Sequence, residues 1–107
     1  MAGDYIPRPN KDFTEWFRNL NYYVALKTTG AVPDWLHIPK EVKENLKEVY
    51  ADWYIRYVIA LQPCTGDQKA ERNHARKTAE KIIRPFVKQY LHFPQVTDGD
   101  RSNIGIR

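Results

Sequence analysis

The sequence predicts an all-α fold: an antiparallel up-down-up bundle of three long helices with a short C-terminal helical turn. Three observations predict it. Every long apolar pattern has the 3.6-residue period of a helix, and no run alternates as a strand would. Glycine and proline punctuate the gaps between those patterns, with Pro85 the exception. The gaps are short, which favours antiparallel neighbours.

Met1 to Asn10 carries Gly3, Pro7 and Pro9 and reads as an extended arm. Asp12 and Glu15 have the spacing of a capping box. Phe13, Trp16, Phe17, Leu20, Tyr23 and Val24 then form one apolar stripe, ending near Thr28 or Thr29, with Gly30 a good left-handed C-terminal residue. Ala31 to Ile38 is a connection in which Pro33 stops the helix and Trp35, Leu36 and Ile38 pack down as a lid. Pro39 suits the first turn of a second helix, whose inward face is Val42, Leu46, Val49, Trp53, Tyr57 and Ala60 and whose end is near Gln62. Thr65 and Gln68 form a capping box for a third helix, with Ala75, Ala79, Ile82, Phe86 and Tyr90 facing inward. Pro85 removes a hydrogen bond to the Lys81 carbonyl, so a kink or a break is expected around Ile83 to Pro85. The chain leaves this helix near His92 to Pro94. Thr97 and Asp100 cap a last short turn, Asp98 to Asn103, closed by Gly105. The organisation expected is an arm over 1–10, a three-helix bundle over 11–92 and a tail with a short helix packing on the bundle over 93–107.

Length and composition bound the function. A chain of 107 residues is one domain and buries about two-thirds of its unfolded surface, enough for a core without staples. Hydrophobic residues at 42% and charged residues at 28% exclude wholesale disorder. The single cysteine, Cys64, excludes an internal disulfide and a cysteine-rich zinc site. No apolar run approaches a membrane span, and the first ten residues lack a signal-type stretch, so a cytoplasmic location is the default. Seventeen Lys and Arg against thirteen Asp and Glu make the chain only mildly basic.

Three segments carry a family resemblance: Asp4-Tyr5-Ile6-Pro7-Arg8-Pro9 followed by Phe13 and Trp16; Ile83 through Leu91; and Val96-Thr97-Asp98-Gly99-Asp100-Arg101 followed by Ile104-Gly105-Ile106. In combination the chain resembles a family of uncharacterised bacterial proteins of Bacteroidetes and spirochaetes. The resemblance implies a helical N-terminal domain, often followed by a β-sandwich similar to fibronectin type III. It implies no catalytic residues.

The residues offer little site chemistry. His37, His74 and His92 lack the i, i+4 spacing of a helical metal pair, and Cys64 has no base nearby, so no metal, cofactor or nucleophile is expected. Glu41, Glu44 and Glu48 are interleaved with Lys40, Lys43 and Lys47, the pattern of a solvated helix face. The five glycines are scattered, so no phosphate-cradling loop forms. No enzyme activity is expected.

Two features exceed this. Lys77, Lys81, Arg84 and Lys88 fall within about 60° of one another on the third helix, opposite its apolar face. They are candidate phosphate contacts of a weak nucleic-acid-binding module, although Glu71 and Glu80 dilute the charge and no aromatic is interleaved. Lys69, Arg72 and Arg76 make a second row beside the core. The run Trp53 to Leu61 is apolar nearly all round. A helix of this kind is normally buried on every side. Tyr22 and Leu26 on the first helix, with Tyr54, Ile55, Val58 and Ile59 on the second, are therefore candidate protein-interface residues. The competing expectation is that the arm or the tail, through Val96, Ile104 and Ile106, folds back over them. The first expectation for function is a non-catalytic interaction or scaffold module, whose partner is itself or a β-sandwich-type domain.

Overall fold

A computed structural model of the protein describes residues 5–28, 35 and 37–106. The described residues form four α-helices and no strand: α1 (Asn10–Thr28), α2 (Lys40–Leu61), α3 (Gly66–Tyr90) and α4 (Asp98–Ile104). Thr29, Gly30, Pro33 and Leu36, invoked above for the end of α1 and its connection, lie outside them. No helix among the described residues is long and apolar enough to cross a membrane.

α1 begins earlier than its local sequence suggests. The Pro9 carbonyl accepts from Phe13 N at 2.9 Å, and Asp12 already lies in the first turn. The Asp12–Glu15 capping box therefore does not form. The cause is a long-range clamp. Arg76 on α3 donates to Asn10 Oδ1 at 2.8 Å, and Thr14 Oγ1 donates back to the Asn10 carbonyl at 2.7 Å, which winds this segment into the helix.

Pro39 is the N-cap of α2 rather than its first helical residue, and its carbonyl accepts from Lys43 N at 3.2 Å. Only Leu46 and Trp53 of the expected inward face are buried; Val42, Val49 and Tyr57 pack partly against the core. Trp53 is fixed in two ways. Its Nε1 donates to Thr14 Oγ1 at 2.9 Å, and its ring meets Phe13 edge-on at 5.2 Å.

The capping boxes of α3 and α4 are both complete. Thr65 Oγ1 accepts from Gln68 N at 3.1 Å while Gln68 Oε1 accepts from Thr65 N at 2.9 Å, and Thr97 and Asp100 repeat the arrangement. α3 continues through Pro85, so the break that proline suggests does not occur. Ile83, Phe86 and Val87 are buried on either side of it, and their packing holds the helix across the missing hydrogen bond. The buried face of α3 is Ala75, Ala79, Ile83, Phe86 and Val87; Ile82 and Tyr90, expected inward, are only half-buried.

The core also takes residues from outside the three long helices: Ile6, Trp35, Ile38, Leu91, Val96, Ile104 and Ile106. Trp35 N donates to the Lys27 carbonyl at 3.0 Å, which ties this core residue to the end of α1. The His37 ring stacks on Phe93 at 4.4 Å, and its Nε2 donates to the Tyr90 carbonyl at 2.8 Å. Arg101 gathers the chain after α3 by donating to the carbonyls of Leu91 and Val96 at 3.2 and 2.9 Å.

The tail then runs back along α1. Lys27 pairs with Asp100 at 3.8 Å, Asn19 Nδ2 donates to the Asn103 carbonyl at 3.0 Å, and Trp16 Nε1 donates to the Gly105 carbonyl at 3.3 Å. Gly105 closes α4 with φ +90°, in the left-handed region.

Candidate protein-interaction face

The C-terminal half of α2 has a buried side and a bare one. Trp53 points into the core, and Tyr57 stacks on it at 5.6 Å. Ile55, two positions after Trp53 and so about 200° round the helix, is 60% exposed. Ile59, one turn on, is 43% exposed, and Leu61 at the helix end is 66% exposed. Tyr54 is exposed and Val58 half-buried. The described residues of the arm and the tail do not lie over this side. Val96, Ile104 and Ile106 are buried, with Gly105 against Trp16, and the arm is held at Arg76.

Tyr22 and Leu26, also exposed, stand elsewhere on the surface. Tyr22 borders a groove of about 490 Å³ between α1 and α2, whose other wall includes Lys43, Lys47 and Tyr50. Ile59 lies nine residues beyond Tyr50, about 13 Å along the helix axis. The candidate residues therefore form two groups joined by a tyrosine that sequence periodicity places on neither. Tyr50 packs edge-on against Phe17 at 5.2 Å and stacks on Tyr54 at 5.9 Å. Burial pushes its hydroxyl above the ordinary tyrosine range, while Arg18 pulls it down and Tyr54 pushes it up. Leu61, the most exposed of the large apolar residues described, was equally absent from the candidate set; its signal was its place at the end of the all-apolar run.

The basic stripe of α3 is less uniform than its spacing. Lys77, Lys81 and Lys88 are exposed and form no ion pair among the described residues. Arg84 instead bonds Glu80 Oε1 at 3.0 Å. Arg76, expected in the neighbouring row, bonds Glu80 Oε2 at 3.1 Å and donates to the carbonyls of Pro7 and Arg8. It is part of the fold rather than of a free cationic face.

The remaining candidates are accounted for locally. Cys64 is half-buried, and its thiol donates to the Ala60 carbonyl at 3.7 Å. His74 lines a shallow cleft with Asp52, Arg56 and Glu71, where Arg56 pairs with Glu71 at 3.0 Å and with Asp52 at 3.4 Å. Among the described residues no group of three or more His, Cys, Asp or Glu side chains is placed to hold a metal ion. His37 Nδ1 and Trp35 Nε1 are buried and have no hydrogen-bond partner among the described residues.

No protein-family model, curated protein or solved structure matches the chain. Monomeric domains rarely leave contiguous apolar side chains of this size in water, and those they leave tend to mark contact sites.

Proposed function

We propose that this chain is a non-catalytic protein-interaction or scaffold module that acts through the outer face of α2. The observation that supports it is the exposure of Ile55 and Ile59 on a helix whose opposite side is core, with the tail packed on α1 instead. Tyr54 and Val58 flank these two residues, and Tyr22 and Leu26 form the outlying part of the surface. The scaffold is an antiparallel up-down-up arrangement of α1, α2 and α3, extended by the arm over 1–10 and the tail over 93–107. Contacts that descend on one helix as they ascend on the next support it: Phe13 with Trp53, then Phe17 with Tyr50. On the other side Arg56 meets Glu71, while Leu46 and Glu41 share a cleft with Phe86 and Gln89.

The first partner is a second copy of the chain. A β-sandwich-type domain, which the family resemblance implies, is the other occupant of the same face. The setting is the cytoplasm. Light-scattering mass measured across a concentration series tests the reading. A reversible dimer that becomes monomeric in Ile55→Asp/Ile59→Asp is the expected result. A wild-type monomer at every concentration removes self-pairing and leaves only the domain partner.

A further inference from the structure

The groove between α1 and α2 has a character different from the outer face of α2. Three cations surround it: Arg18 from α1, and Lys43 and Lys47 from α2. None of the three forms an ion pair among the described residues. Glu44 also lines the groove, and Lys40 holds it at 3.9 Å. The rings in and beside the groove are tyrosines. Tyr22 is 60% exposed at one rim, Tyr50 forms the wall, and Tyr54 continues the row as a second exposed ring stacked on Tyr50.

The combination matters because neither element alone is informative. Unpaired lysines are the ordinary outside of a helix, and exposed tyrosines are the ordinary edge of an interface. Ring faces beside a row of free cations match what binds single strands without sequence preference: bases stack on aromatics while phosphates follow positive charge. The α3 stripe lacks the rings and loses Arg84 to Glu80. Here residues from two helices supply both.

We infer that the α1/α2 groove binds single-stranded nucleic acid, with bases stacked on Tyr22 and Tyr54 and phosphates held by Arg18, Lys43 and Lys47. A duplex hides its base faces and fits less well. An acidic peptide satisfies the cations but has no use for the flat rings. The groove shares Tyr22 and Tyr54 with the surface proposed above but uses neither Ile55 nor Ile59, so the uncharged Ile55→Ser/Ile59→Ser variant leaves binding unchanged.

The test is fluorescence anisotropy with the full chain and a labelled oligothymidylate of about fifteen nucleotides, against a duplex of equal length. Binding to the single strand is expected to exceed binding to the duplex. The slope of log affinity against log salt is expected to be about −2, from three phosphates at about 0.7 each. Tyr22→Ala and Tyr54→Ala each weaken binding about tenfold, and the corresponding Phe variants restore it, because the ring face carries the contact. The Arg18→Gln/Lys43→Gln/Lys47→Gln variant weakens binding at least about tenfold and flattens the salt slope. Lys77→Gln/Lys81→Gln/Lys88→Gln leaves it unchanged. Helicity measured on each variant separates loss of binding from loss of fold. The inference is overturned by absence of binding at about 50 mM salt, by equal affinity for the duplex, or by loss confined to the α3 variant. It is also overturned if polyglutamate displaces the oligonucleotide and the alanine variants bind normally, which would make the groove an acidic-protein site.

Discussion

The Arg76 guanidinium lies 4.2 Å from the centre of the Phe13 ring, cation over aromatic face, where α3 meets the start of α1. The same group donates to Asn10 Oδ1, to the carbonyls of Pro7 and Arg8 and to Glu80. It fastens the arm, α1 and α3 together, and its side chain is only 15% exposed. Arg76→Ala is expected to cost about 2–3 kcal/mol, because several part-buried acceptors lose their donor together with the ring contact. Arg76→Lys recovers only part of it, since an ammonium cannot serve several acceptors in one plane. Urea denaturation gives the energies, and faster proteolysis within residues 5–9 reports release of the arm.

Gly105→Ala is expected to loosen the tail. The residue has φ +90°, and an added Cβ meets Trp16 Cδ1 at 3.1 Å and Nε1 at 3.2 Å. The left-handed strain and the contact together cost about 1–2 kcal/mol. A lowered melting temperature and a shifted Trp16 emission check this; an unchanged melting temperature contradicts it.

Pro85→Ala is expected to stabilise the protein. α3 already continues through Pro85, so the substitution restores a donor to the Lys81 carbonyl without asking for a new fold. The gain is about 1–3 kcal/mol, bounded by the cost of proline inside a helix. A destabilised variant would mean that the local geometry at this proline is required.

Both correctly read capping boxes, Thr65–Gln68 and Thr97–Asp100, join residues three apart, and such contacts are written in local sequence. The Asp12–Glu15 box has the same spacing yet fails, because Arg76, more than sixty positions away, draws Asn10 into the helix. The inward stripe of α1 was legible from its period, since Phe13, Trp16, Phe17, Leu20 and Val24 are buried, while Tyr23, expected with them, is only partly buried. The face of α3 was displaced, with Ile83 and Val87 buried and Ile82 less so, because the direction from which α2 approaches is not contained in a single helix. The surplus of apolar residues on α2 could be read directly; where the tail would go could not. Its docking depends on Trp16 meeting Gly105 and Asn19 meeting Asn103, contacts with no local signature. Tyr50 was missed for the same reason: its place between Phe17 and Tyr54 joins two helices.

Tyr50 carries a pH dependence of its own. Burial raises its hydroxyl above the ordinary value near 10, against the pull of Arg18. The unfolded chain therefore releases this proton first. Its contribution to stability is intact below about pH 10 and is lost as pH rises through the raised value. Tyr50→Phe is expected to flatten the alkaline loss of stability and to remove the late step in the tyrosinate absorbance titration.

The proposed role of Ile55 and Ile59 is contact with a partner and not packing in the core. Ile55→Asp/Ile59→Asp, measured beside the wild type for mass and for stability in the same samples, tests it most directly. The variant is expected to be as helical as the wild type, within about 0.5 kcal/mol of the wild-type monomer in stability, and monomeric at concentrations where the wild type pairs. A variant that unfolds, or one that pairs as tightly as the wild type, would contradict it.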